Sequence, residues 1–554
     1  MRVHVVVIAT SGNQRFIFAS NKRRENVGAS HLITRVEERW LDEALLAVTG
    51  SEERHRSITG HPVEIVTANA GGITALVREP EIGRELVTRI TLQALREAPG
   101  LDVCGVVGEA VEWDGLGASA LAKLIRQTRG MLPAAQMSRP GPQLRFPGVP
   151  IAARCLSSGL PAAQIVQSTS RERPEPRSAP SMAKLNAFPE ALDRLADEMG
   201  MSGLGKQEAH RRLARVVDWL NNKAEWVAVV HADGNGMGRV FQEFSAIVEK
   251  LGHTTAEEYV RHLRDFSQGV DDCAAEALRR VVAAMKKPDG EGRRPFRLIA
   301  GEPALLPLVL GGDDLTVVCD GSIALPFAEQ YLTEFARLAR ENKRVGGLLR
   351  QAERQGLGAC AGVAIVKRHY PFHSAVGLAE ELTKEAKAVK GALGQDHCAL
   401  SFHVLYESAV AELSRLREET TLPDGTRLTA QPYVVGDVTK DPHGWARHRH
   451  WNDLLRRIAA LTRTDEEDGR RVLSGAQAHD LRGGLFHGRG VADARYRLLA
   501  DRLGRDADDL AGEGRSLFWK VEGQALTGLL DAMNATGFLP RPERTERTEQ
   551  EQPA

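Results

Sequence analysis

Cysteine is scarce and scattered in this chain of 554 residues. Cys104, Cys155, Cys273, Cys319, Cys360 and Cys398 include no CxxC pair, which argues against a zinc ribbon and against a dithiol redox couple. They read as reduced core thiols. Long apolar runs are missing as well: none approaches the roughly 18 residues that cross a bilayer. The opening segment, Met1 to Gly12, has an apolar stretch interrupted by His4 and no small-residue cleavage site, so it reads as a β-strand rather than a signal peptide. A soluble cytoplasmic protein with no membrane partner is expected. Excess charge is absent too, with Lys plus Arg and Asp plus Glu at 73 each. The chain therefore lacks the field of a protein whose main task is coating nucleic acid, although a local basic groove stays open.

The length fits about three or four domains. Gln167 to Ser181, QSTSRERPEPRSAPS, has the composition of a linker, and the tail from Pro540 to Ala554 has little but charge and proline, as disordered segments do. Between them two blocks share an alternating α/β grammar. The first is expected to hold strands Val3–Ala9 and Arg15–Ala19, a helix Ser30–Thr49, two strands within Val63–Val77 joined at Asn69-Ala70-Gly71-Gly72, a helix Glu81–Glu97 and a strand Leu101–Gly108. The second is expected to hold strand Trp226–His231, helix Thr255–Lys286, strands Pro295–Ala300, Leu305–Leu310 and Leu315–Cys319, helix Ala324–Arg340, strand Cys360–Val366 and helix Ser374–Lys390. From Ala411 onward a hairpin around Pro423-Asp424-Gly425 gives way to helical patterns, with no further sheet evident. Two copies of one α/β fold, followed by a helical region, is the architecture this predicts.

The strongest chemical signal is a pair of turns. A buried apolar strand, WVAVVHA, ends in Asp233-Gly234-Asn235-Gly236-Met237-Gly238; about eighty residues later LLPLVL runs into Gly311-Gly312-Asp313-Asp314 and on into LTVVC. A Gly-Gly turn lets the backbone reverse and puts carboxylates at a hairpin tip. If that hairpin lies beside the strand ending at Asp233, carboxylates from two strands converge, as Mg²⁺ or Mn²⁺ requires of its oxygen ligands. An EF-hand starting at Asp233 fails, because its fifth and twelfth positions would be Met237 and Phe244. Two histidine groupings, His479-Asp480 and His443 with His448 and His450, lack the further ligands that a metal site needs.

The segments VAVVHADGNGMGRVF, LGGDDLTVV and GVAIVKRHYPFHSAVGLAEELTKEAKAVKG together resemble the second palm domain of the large subunit of type III CRISPR effector complexes, a family related to the GGDEF nucleotide cyclases. SGNQRFIFASNKRRENVGASHLI, with Gln14, Phe16, Arg24, Gly28 and Ser30, resembles the opening of that family's first palm. The resemblance implies ferredoxin-like palm domains in tandem with a helical C-terminal domain. Its boundaries would be a degenerate first palm at 1–166, a linker and helical segment at 167–222, a catalytic second palm at 223–410, the mainly helical domain at 411–539 and a disordered tail at 540–554.

The activity it implies is that of a metal-dependent nucleotidyltransferase that makes a cyclic oligonucleotide messenger from ATP in antiviral defence. Asp233 and Asp313 would ligate Mg²⁺ or Mn²⁺, Asp314 would stand beside the attacking 3′-hydroxyl, and Lys387 would meet the triphosphate. Gly234, Asn235, Gly236, Gly311 and Gly312 would frame the nucleotide. Asn235 stands where many relatives have a second aspartate. The first palm's turn, Ala70-Gly71-Gly72-Ile73-Thr74, carries no carboxylate; it is expected to hold no metal and to serve an acceptor nucleotide. An N-terminal HD nuclease domain and a zinc ribbon are expected to be lacking. The rival readings are a nucleotide-sensing scaffold subunit of a CRISPR-type ribonucleoprotein and a diguanylate-type cyclase using GTP. RNA or CRISPR effector subunits are the candidate partners.

Overall fold

The computed structural model describes residues 1–167, 174–288, 295–406, 412–438, 441, 443–465 and 470–539. The first block runs β1 (Arg2–Ser11), α1 (Asn13–Phe18), α2 (Arg23–Thr34), α3 (Arg39–Thr49), β2 (Val63–Asn69), β3 (Gly72–Val77), α4 (Pro80–Glu97), β4 (Asp102–Glu112), α5 (Ala118–Gly130) and α6 (Leu132–Met137). A short hairpin, β5 (Gln164–Val166) with β6 (Glu175–Arg177), leads to α7 (Ala179–Glu198) and α8 (Lys206–Asn222). The second block is β7 (Trp226–Gly234), α9 (Met237–Lys250), α10 (Ala256–Met285), the two-residue strands β8 (Leu298–Ile299) and β9 (Glu302–Pro303), β10 (Leu305–Gly311), β11 (Asp314–Asp320), α11 (Gly321–Glu341), α12 (Lys343–Gln351), β12 (Ala359–Lys367), α13 (Phe372–Ala386), α14 (Val389–Ala392) and β13 (Cys398–Leu405). The rest is α15 (Leu413–Glu419), β14 (Tyr433–Val435), α16 (Trp451–Thr462), α17 (Gly475–Phe486), α18 (Arg489–Leu503), β15 (Trp519–Val521), β16 (Gln524–Leu526) and α19 (Leu529–Ala535).

The two sheets show that the repeated grammar is a repeated fold. The first has strand order β2-β3-β1-β4 and the core of the second reads β10-β11-β7-β12, the same βαββαβ weave with the first strand in the interior. The second sheet is longer, because β13 adds parallel to β12 and β14 adds antiparallel to β13. Val227, Ala228, Val229 and Val230 are all buried, as a central strand covered on both faces demands.

Several segments differ from their sequence-based expectation. Arg15–Ala19 is helix rather than strand: Phe16, Ile17 and Phe18 are all buried, and Phe18 meets Phe372 edge-on at 5.4 Å. Three consecutive apolar residues suit either a strand or a helix turn, so periodicity alone could not decide. The single helix expected over Ser30–Thr49 starts earlier and breaks between α2 and α3, where buried Arg35 pairs with Glu97 at 3.2 Å and with Glu190. The strand expected at Pro295–Ala300 shrinks to β8. Part of the linker is ordered: Arg177 pairs with Glu25 at 2.6 Å and with Glu175 at 2.5 Å, and Ser178 caps α7. Residues 168–173 and the tail at 540–554 lie outside the described residues. The C-terminal part is mainly helical, yet it supplies β14 to the second palm sheet and a small β15–β16 hairpin of its own.

The two palms pack through α10. Arg264 on that helix donates to Glu64 and to the Ile65 carbonyl of β2, both at 2.8 Å, and the N-terminal approach to α10 pairs with the loop before α5 through Ala118 N–H to the Thr254 carbonyl at 2.8 Å. The C-terminal helices are tied in by Asp531 on α19. Its buried carboxylate accepts from Ala430 N–H at 2.8 Å, Gln431 Nε2 at 3.0 Å, Tyr433 OH at 2.8 Å and Thr429 Oγ1 at 3.2 Å. Among the described residues no helix is long and apolar enough to cross a membrane.

Candidate active site

The ends of β7 and of the β10–β11 hairpin build the site. Leu315 is opposite Ala232 and Cys360 is opposite Asp233, so β7 lies between the hairpin and β12 and brings its terminal carboxylate level with the hairpin tip. One carboxylate oxygen from each of Asp233, Asp313 and Asp314 lies within 4.8 Å of the others, the one such grouping of metal-ligating side chains among the described residues. The glycines explain how the strands come so close. A Cβ at Gly234 would fall 2.6 Å from the Asp313 Cβ. Gly236, at φ +72°, makes the left-handed turn into α9, and Gly312, at φ +61°, reverses the hairpin after Gly311. The six cysteines are all free and buried, and none joins the acidic group.

Lys387 follows the last turn of α13, and its ammonium pairs with Asp233. Asn235 is placed differently from its neighbours. It is fully buried, its Nδ2 donates to the His397 carbonyl at 2.8 Å, its N–H donates to the Gly358 carbonyl at 2.8 Å, and its own carbonyl accepts from Arg354 at 2.9 Å. The amide nitrogen therefore braces the loop after β7, while Oδ1 is buried with no hydrogen-bond partner.

Crowding shapes the electrostatics. Burial first, and then the Asp233 charge, raise the Asp313 carboxyl to about 6. Asp314 moves in the same direction through burial of its carboxyl group and repulsion from Asp313 and Asp233, although as a residue it is the most solvent-open of the three. Carboxylates held together at such a cost fit a hard divalent cation, which needs their oxygens and removes their repulsion.

The centre opens into a cavity of about 250 Å³ between the palms. Asp313 and Asp314 face it from the second palm, and Arg126 and Arg129 of α5 face it from the first. Asn69 and Ala70 of the first palm's turn also line it, whereas Gly71 and Gly72 do not. The Gly71 N–H donates to the buried carboxyl of Glu37. The two equivalent turns touch instead: a Cβ on Gly311 would come 3.4 Å from the Ala70 Cα. Asp271 of α10 clasps both, accepting from the Gly312 N–H and from Asn69 Nδ2 at 3.3 Å. Arg126, Arg129 and Asp271 belong to no motif; they reach the site through helix packing, and nothing in the linear sequence marks them.

Two βαββαβ sheets in tandem, with a carboxylate cluster at the hairpin of one of them, are thus what the chain builds. Residues 226–396 match the family model described as Cas10/Cmr2, second palm domain. A search of curated proteins finds no match. Among solved structures, the chain is similar to a Csm1-Csm4 cassette in complex with cA4 (12% identity, 92% of this chain and 64% of that one, TM-score 0.44). It is similar also to a Csm1-Csm4 cassette in complex with AMPPNP (14%, 92% and 64%, TM-score 0.46) and to Csm1 in T. onnurineus (12%, 91% and 64%, TM-score 0.46). The chain thus spans about 64% of the length of these structures.

Proposed function

We propose that this chain is a metal-dependent nucleotidyltransferase that joins ATP molecules into a cyclic oligonucleotide. The observation that carries the reading is the convergence of Asp233, Asp313 and Asp314 within 4.8 Å, on a segment that matches the Cas10/Cmr2 second palm. Asp233 and Asp313 would hold Mg²⁺ or Mn²⁺, which when bound neutralises phosphate charge and favours the ionised form of the attacking hydroxyl. Lys387 would meet the triphosphate as a compact cation. Asp314, at the open edge, would accept a hydrogen bond from the 3′-hydroxyl. Arg126 and Arg129 face the acids across the cavity and would orient the phosphates of the second nucleotide there. In the reaction the 3′-oxygen bonds to the α-phosphorus, the α–β bridge breaks, pyrophosphate leaves and the hydroxyl proton passes to solvent. A second CRISPR effector subunit, as Csm4 is for Csm1, is the proposed partner, and the cytoplasm the proposed location.

The test is mass spectrometry of products after incubating the chain with all four nucleoside triphosphates and Mg²⁺ or Mn²⁺. Asp313→Asn and Asp233→Asn should each lower product formation by at least about 10²-fold, as removal of an electrostatic element does. Undiminished synthesis by either variant overturns the assignment. A cyclic dinucleotide made from GTP alone would favour the diguanylate-type reading.

A further inference from the structure

A second cavity, of about 260 Å³, lies on the seam between the second palm and the C-terminal region. None of its lining residues lines the cleft at the acidic centre. The end of α13 contributes Glu385, the loop before α16 contributes Trp445 and Arg449, and the β15–β16 hairpin contributes Glu522; Arg427 completes the polar wall. Arg449 is pinned by its backbone: its carbonyl accepts from the Val434 N–H of β14 at 2.8 Å, and its own N–H donates to the Ala446 carbonyl at 2.9 Å. The edge of the palm sheet therefore fixes where this guanidinium stands.

Arg449 is only 4% exposed, and its Nε is buried without a hydrogen-bond partner. No ion pair joins it to a carboxylate among the described residues. The Trp445 ring centroid, 4.7 Å from its guanidinium carbon, attracts the charge but gives Nε no acceptor. Burial first, and then the Arg427 charge, bring its pKa down to about 10, so it stays a cation at neutral pH. The acid within the wall is already committed: Glu385 accepts from Arg417 at 2.8 and 2.7 Å, and Arg427 comes no nearer to it than 3.9 Å. Two guanidiniums thus share a small space, opposed only by the exposed carboxylate of Glu522. A buried charge without a close acidic partner is costly to keep, and an anion between the two arginines would offset that cost. The space falls below the roughly 300–1,000 Å³ of a small-molecule pocket, which favours a compact ion. A planar carboxylate matches one guanidinium fork, whereas the tetrahedral oxygens of a phosphoryl group can meet two forks from different elements.

We infer that this cavity binds a single phosphoryl group, as free phosphate or as a small phosphomonoester, with Arg449 and Arg427 donating to its oxygens. The anion would bridge the two arginines and hold the C-terminal region against α13. The site shares no residue with the acidic centre, and its occupation does not depend on the activity proposed there. Hydrogen exchange of the full chain with inorganic phosphate, at constant ionic strength and without metal or nucleotide, tests it beside calorimetric titration. Phosphate should slow exchange in residues 427–435, 445–450 and 519–526, because a ligand that binds the folded state suppresses local opening around it. Arg449→Gln should abolish that protection and weaken the corresponding calorimetric binding at least tenfold. Glu522 stands on an exposed turn, so Glu522→Gln should fold like the parent and, with one repulsive charge removed, bind phosphate roughly twofold or more tighter. Stronger protection by ribose 5-phosphate than by phosphate would assign a phosphomonoester, and the reverse the free ion. The inference is overturned if phosphate leaves exchange in those segments unchanged, if protection persists in Arg449→Gln, or if acetate at matched ionic strength protects equally. Should Arg449→Gln fail to fold, unaltered phosphate affinity in Glu522→Gln overturns it instead.

Discussion

At the scale of single residues, Gly234 shows how the backbone sets the chemistry. Any side chain there would push into Asp313, since even a Cβ would sit 2.6 Å from the Asp313 Cβ. Gly234→Ala should therefore cost turnover with little change in thermal stability, measured by product formation beside a melting curve. Lys387→Ala should weaken ATP binding more than metal binding in parallel titrations, because the ammonium is assigned to phosphate oxygens. A different residue contributes to acid stability. His403 on β13 is pushed down to about 4 from its ordinary 6.5, first by burial and then by the Arg417 charge. Above pH 6.5 it is neutral in both states; between 6.5 and about 4 the unfolded chain binds a proton that the folded chain refuses, so stability falls as pH drops through that window. In His403→Gln the urea midpoint should fall less between those two pH values than in the parent. The acids and Lys387 were legible in the sequence because each ends a buried strand or sits in a recognisable segment. Asn235 was legible as a position, whereas only packing reveals that its amide nitrogen serves the His397 carbonyl.

Among the elements, α10 has the widest influence. Its Asp271 fixes the acidic hairpin through the Gly312 N–H and the first palm's turn through Asn69. Asp271→Leu should loosen that hairpin and lower turnover, while Asp271→Asn, which keeps an acceptor oxygen, should recover part of it; equal loss in both would assign the residue a charge role instead. The α19 anchor is a matter of stability. Asp531→Leu strands several buried donors at once, and at about 1–3 kcal/mol for each unsatisfied group the urea-derived unfolding free energy should fall by about 3 kcal/mol or more. The long amphipathic α10 could be read from sequence because its period is sustained over many turns, and Thr255 with Glu258 closes its start in a capping box. The six-residue α1 could not, because one turn of apolar residues has no period to read. The strand β14 was hidden too: three residues carry no alternation, and its partner β13 lies far behind it in the chain.

For the whole molecule, the repeated order of strands was legible because both blocks alternate apolar strands and amphipathic helices in the same sequence. Their mutual placement was not, since it rests on long-range contacts such as Arg264 with Glu64 that no local pattern encodes. That placement makes equivalent turns meet, Ala70 against Gly311, the self-facing kind of contact by which two identical subunits pair. Here both halves are on one polypeptide, and only one of them bears acids. Covalent linkage thus guarantees every acid-bearing hairpin its neighbour at any concentration, and frees the two copies to diverge. Initial rate per chain should accordingly stay constant on dilution, and a rate that falls with concentration would mean that another molecule completes the cleft.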